Sequence, residues 1–170
     1  MRNSKIIYDT NVIVDFKAGR IKESIFSIKE IVAVNKAVYD RELRKERKYL
    51  APHLRDEKFK LLERNSEING LLNILKKYET ARTDLYDLLC LASALYLSAP
   101  LATGDTELRT AATKEKCQLT GTIGIAKKIV EAGFNADDML AAIDLMKQRR
   151  RRLPWALAKQ EIEKLRKKSA

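Results

Sequence analysis

Four short apolar runs alternate with amphipathic stretches along this chain, and that alternation restricts its fold more than any other feature. The runs are Lys5-Ile6-Ile7-Tyr8, Ile31-Val32-Ala33-Val34, Leu101-Ala102-Thr103 and Cys117-Gln118-Leu119-Thr120. Each stops at a turn or cap former: Asp9, Asn35, Gly104-Asp105 and Gly121. β-Branched residues dominate the first two, which suits pleated, buried backbone. Strands separated by helices cannot pair as hairpins, so they build a parallel sheet with helices on both faces. With only six glycines and three prolines in 170 residues, turn formers are too scarce for an all-β chain. The expected class is therefore α/β, a central parallel sheet flanked by helices, with a C-terminal helical extension.

Between the runs, apolar spacing predicts helices. They fall at residues 23–31, at 35 to about 50 with a break near Pro52, and once or twice within 56–78 with Asn69-Gly70 as an interruption. Further helices are predicted at 83–97, at 122–132 closed by Gly133, and from a cap at Asn135 to the run Arg149-Arg150-Arg151-Arg152. Trp155, Ala158, Ile162 and Leu165 recur at helical spacing beyond it. Residues 1–133 are read as the main domain and 134–170 as a basic helical extension.

Several function classes fall away. Two cysteines, Cys90 and Cys117, are too few for a disulfide scaffold, and one histidine, His53, argues against a His-rich metal site. Neither a secretory leader nor a stretch of roughly 18 apolar residues is visible, so a cytoplasmic protein with no membrane partner is expected. The formal charge of +11 draws the chain to polyanions.

In open parallel sheets, ligands bind beyond the carboxyl ends of the strands. Asp9 and Asp105 stand at two such ends. Each also suits a plain helix cap. If their strands are neighbours, both carboxylates crowd one crevice. Asp87 lies beside the apolar stripe of the helix at 83–97, whereas Asp84, one turn earlier, reads as dipole compensation. A fourth acid comes from Asp40 or Glu42, which flank opposite edges of the stripe made by Tyr39, Leu43 and Leu50; periodicity does not choose between them. Converging carboxylates repel, and a hard divalent cation such as Mg²⁺ relieves the repulsion while reaching substrate phosphate oxygens. A basic exterior around an acidic centre is the layout of a metal-dependent nuclease.

These motifs resemble the PIN-domain family, and within it the VapC-type toxins of toxin–antitoxin pairs. Ile6-Ile7-Tyr8-Asp9-Thr10-Asn11 is similar to the family's opening strand and acidic turn. Asp87-Leu-Leu-Cys-Leu-Ala-Ser-Ala-Leu, continuing to Leu101-Ala102-Thr103-Gly104-Asp105, is similar to its helix–strand unit with an acid at each end. Gly121-Thr122-Ile123-Gly124 before a helix also resembles part of the family. The resemblance covers residues 5 to about 133. It implies a PIN-like three-layer fold and a Mg²⁺- or Mn²⁺-dependent endoribonuclease. Asp9, Asp87 and Asp105 would be metal-binding acids, with Glu42 as the fourth catalytic acid. Asn11, Thr103 and Glu107 would support them, Asn11 by orienting Asp9 and Thr103 through its hydroxyl. RNA as substrate, a cognate antitoxin and a homodimer follow from the same resemblance.

Two rivals remain at this point: a non-catalytic PIN-like module that binds RNA or protein, and a metal-dependent phosphatase. The phosphatase class wants a second aspartate two residues after the first, where this chain has Asn11. The four arginines at 149–152 are candidate contacts for RNA or for an acidic partner, or else a solvated, dipole-compensating helix end. Lys114, Lys116, Lys127 and Lys128 are candidates for an RNA track.

Overall fold

The computed structural model describes residues 4–63, 68–78 and 83–169. Five parallel strands form one sheet in the order β3-β2-β1-β4-β5. They are β1 (Lys5–Tyr8), β2 (Ile31–Asn35), β3 (Phe59–Leu62), β4 (Leu101–Ala102) and β5 (Leu119–Thr120). The central strand β1 pairs Ile6 with Val32 on one side and Ile7 with Leu101 on the other. Ile6, Ile7 and Tyr8 are fully buried, as a strand covered on both faces must be.

The flanking helices are α1 (Thr10–Ala18), α2 (Lys36–Arg41), α3 (Arg47–Arg55), α4 (Ile68–Tyr78), α5 (Leu85–Leu97), α6 (Thr106–Lys114), α7 (Thr122–Glu131), α8 (Ala136–Gln148) and α9 (Trp155–Ser169). One packing group joins α1, α7, α8 and α9; the other joins α2, α4, α5 and α6. The extension expected after Gly133 is formed by α8 and α9. Met139, Ile143, Met146, Ala158 and Ile162 carry the hydrophobic core into it without a break. Helices α1 and α8 approach so closely that a Cβ on Gly19 would meet the Ala142 carbonyl oxygen at 3.2 Å.

Several local expectations change. The stretch 23–31 is a short 3₁₀ helix, Lys22–Phe26, and Ile31 already belongs to β2, because its β-branched run pairs with β1. The helix expected from Asn35 to about Leu50 is two helices, α2 and α3. Asn35 caps the first, accepting from the Ala37 N–H at 2.9 Å. The break falls where Leu43 and Glu46 turn inward and are buried, Glu46 against Lys17 at 2.6 Å. Pro52 does not end α3 but lies inside it. Packing of Leu50, and of His53 stacked on Phe26 with ring centroids 3.8 Å apart, outweighs the lost backbone hydrogen bond. Phe59–Leu62, read as helical, is instead edge strand β3, paired with β2 from Val32–Phe59 to Asn35–Leu62. Asn69-Gly70 do not interrupt a helix; they sit in the first turn of α4. Residues 64–67 of the same stretch lie outside the described residues. No helix among the described residues is long and apolar enough to cross a membrane.

Candidate active site

Because β1 and β4 are adjacent and pair Tyr8 with Ala102, the residues that follow them emerge side by side. Asp9 stands at the N-cap position of α1, yet its carboxylate makes no capping hydrogen bond there. It turns instead toward β4, where the Thr103 hydroxyl donates to Asp9 Oδ2 at 2.7 Å. Thr103 Oγ1 in turn accepts from the Asp105 N–H at 3.0 Å. Thr103 is wholly buried and Asp9 is 2% exposed, so this chain of hydrogen bonds is sealed from water on the protein side. Asp105 caps α6 by accepting from the Leu108 N–H at 2.7 Å. Its cap role and its place beside Asp9 coexist, because a carboxylate has two oxygens.

Asp87 comes from the start of α5. Asp84 is the N-cap there, accepting from the N–H groups of Tyr86 and Asp87, and Asp87 Oδ2 accepts from the Asp84 N–H at 3.1 Å. This capping box holds Asp87 at the lip of the crevice. Glu42 follows the last turn of α2, where Thr10 Oγ1 donates to Glu42 Oε2 at 2.6 Å. Thr10 is Asp9's neighbour, so Glu42 faces the same crevice. Asp40 does not: it pairs with Lys36 at 2.6 Å and Arg47 at 3.3 Å, beside a separate cavity lined by Arg41, Arg44 and Glu63. Those cations hold its carboxyl below the usual carboxylate range, with the Lys36 hydrogen bond the largest cause.

The acids affect one another. Burial pushes the Asp9 carboxyl up to about 6, with the Glu42 charge adding to the rise and the Thr103 hydrogen bond and the polar groups of Asn11 opposing it. Burial, then the charges of Asp84, Asp9 and Asp105, pushes Asp87 up to about 7. The buried Cys90 thiol is raised chiefly by burial and then by Asp9, Glu42, Asp87 and Asp84. A cluster of this kind disfavours its own ionisation, and a cation among the carboxylates would reverse that. Among the described residues, no three Asp, Glu, His or Cys side chains already close around one point at ligand spacing. The donor chemistry, all carboxylate oxygen, fits a hard divalent cation. Glu107 lies in the first turn of α6, two residues beyond Asp105, and is exposed.

The arginine run divides by role. Arg151 Nε donates to Asp15 Oδ1, and Asp15 Oδ2 accepts from the Thr122 hydroxyl at 2.6 Å. Arg150 and Arg152 are exposed and line a cavity of about 450 Å³ with Asn11, Asp15, Gly104, Asp105, Thr106 and Arg151. Arg149 is exposed and outside that lining. A cavity of about 780 Å³ lies away from the acids, at the strand ends bearing Lys5 and Pro100. Two of the lysines read as an RNA track are engaged otherwise: Lys127 pairs with Glu161, and Lys128 pairs with Glu30 across that larger cavity.

Sequence reasoning passed over Asp15 and Arg109. Asp15 is a lone acid among Val12, Ile13 and Phe16 on the buried side of α1, and that misfit with its surroundings was the available signal. Arg109 Nη1 donates to the carbonyls of Thr103 and Thr120, each at 2.9 Å, tying together the carboxyl ends of β4 and β5. Nothing in the local pattern marks it. Comparison with known families matches residues 5–167 to the model DUF3368, described as a PIN domain. Comparison with curated proteins finds no match.

Proposed function

Since the chain belongs to the PIN-domain family, whose members are in general nucleases, we propose that it is a metal-dependent endoribonuclease, the toxin of a VapBC-type pair. The observation that carries this reading is the hydrogen-bonded path from the Asp105 N–H through Thr103 to Asp9 at two adjacent strand ends, with Asp87 coupled to both acids by charge. Asp9, Asp87 and Asp105 would hold Mg²⁺ or Mn²⁺, with Glu42 as a fourth acid at the rim. A divalent cation there supplies a nucleophilic water near neutral pH and offsets charge on the scissile phosphate.

The chain's own residues do the rest. Thr103 fixes the rotamer of Asp9 by donating to one oxygen, which leaves the other for the crevice. Thr10 holds Glu42 in the same way. The capping box holds Asp87, and the α6 cap holds Asp105, so each of the four acids is oriented by a hydrogen bond. Burial keeps water from competing at Asp9. Among the described residues, Cys90 is buried with its thiol raised and His53 pairs with Glu23, so neither serves as a nucleophile at the crevice. Hydrolysis by this route leaves a 5′-phosphate and a 3′-hydroxyl. A cognate antitoxin that blocks the crevice and a homodimer belong to the same proposal.

The test incubates purified protein with single-stranded RNA in Mg²⁺, in Mn²⁺ and in chelator, beside Asp87→Asn and Asp105→Asn. Asparagine keeps each helix cap while removing the charge. Cleavage that needs the metal and both aspartates supports the reading. RNA bound but uncut in either metal would replace it with a binding module.

A further inference from the structure

We propose that Arg150 and Arg152 form a phosphate subsite beside the acidic crevice, gripping the RNA backbone next to the bond that is cut; this rests on the nuclease reading above. Three observations place it. The arginines share the cavity of about 450 Å³ with Asn11, Gly104, Asp105 and Thr106, so a chain lying in it runs past the Asp105 end of the acid cluster. Arg150 and Arg152 are exposed and enter no ion pair among the described residues. Their neighbour Arg151 is committed to Asp15, and Asp15 is also committed to Thr122, so that buried acid already has its partners.

The turn that presents them is built tightly. The N–H groups of Arg150 and Arg151 donate to the carbonyls of Lys147 at 2.9 Å and Met146 at 3.0 Å, a Schellman closure of α8. Its left-handed position is Arg150, with φ of 57°. Glycine is the residue that this position favours, and an arginine there is strained. The Asp15–Arg151 pair then pins the turn to α1, the helix that Asp9 immediately precedes. Arginine suits the task because its planar fork stays charged and meets phosphate oxygens two at a time. The anionic backbone thus meets cations carried on a pinned turn before its phosphate reaches the repelling carboxylates.

The experiment compares Arg150→Gly, Arg152→Gln and Arg149→Gln in the full chain. Each removes one charge, but only the first two residues line the cavity. Binding of a fluorescent single-stranded RNA is measured in chelator across a salt series, and cleavage is measured in Mg²⁺. R150G relieves the strained turn, so it folds, with a melting temperature no lower than the parent's. The subsite predicts that R150G and R152Q together weaken RNA binding roughly tenfold and each lower the salt slope by about 0.7. KM rises while kcat holds, and R149Q has little effect on either. Equal losses in all three variants would reduce the effect to bulk charge and overturn the proposal. The same variants are also titrated with polyglutamate, and loss of its binding without loss of RNA binding would overturn the proposal in favour of an acidic protein partner. Cleavage with KM indifferent to Arg150 and Arg152 removes the subsite and leaves the nuclease. Arginine-dependent RNA binding without metal-dependent cleavage keeps the subsite and removes the nuclease.

Discussion

Replacing Asp15 by alanine should loosen the C-terminal helices from the sheet domain. The Asp15 carboxylate is buried on α1 and bridges two distant elements, accepting from Thr122 at the start of α7 and from Arg151 after α8. Its removal leaves the Thr122 hydroxyl, itself 3% exposed, without that partner, a loss of about 1–3 kcal/mol. Deleting one member of a fully buried ion pair costs about 3–5 kcal/mol. The Arg151 side chain is 27% exposed and can turn to water, so the lower part of that range applies. The two losses share one carboxylate and do not simply add, and a total of about 3 kcal/mol is expected. For a chain of this size that lowers the melting temperature by roughly 6–12 °C. Urea unfolding, followed by circular dichroism and by fluorescence of Trp155 on α9, measures it. A loss below about 1 kcal/mol would refute the reasoning. So would a D15A/R151M cycle in which the double variant loses the full sum of the single ones.

Gly19→Ala should cost about 1–3 kcal/mol in the same unfolding assay, because the new methyl meets Met146 Cε at 2.8 Å and the Ala142 carbonyl at 3.2 Å. Arg150→Gly should stabilise the chain by about 1 kcal/mol, since glycine adopts the left-handed cap without strain. Asp9→Asn in chelator should show a pH-dependent gain. The Asp9 carboxyl is raised in the folded state, so its ionisation opposes folding: the penalty is absent below about pH 4, grows as pH rises, and is complete above about 6. A carboxyl moved from 3.8 to about 6 puts that gain at roughly 3 kcal/mol at most, and a gain that shrinks with rising pH would contradict the sign. Asp105→Ala should unfold about 1 kcal/mol more easily than Asp105→Asn, since only asparagine keeps the α6 cap.

Much was legible in the chain itself, for local reasons. An apolar strand followed at once by Asp9, and another by Gly104-Asp105, states where the backbone leaves the sheet, and strand ends are where open α/β sheets keep their chemistry. Asn35 and Asn135 announce caps through their own short side chains, and both accept hydrogen bonds as caps in the fold. Such features need no partner distant in sequence. Tertiary packing decided the rest. Phe59–Leu62 has no strand signature of its own and became a strand because the free edge of β2 was there to pair with. Asp40 and Glu42 are equivalent by periodicity, and only the turn of α2 against Thr10, with Lys36 and Arg47 claiming Asp40, separates them. The joining of Asp15 to Arg151, 136 positions apart, is invisible to any local pattern, since charge pairing depends on distance through space and not along the chain.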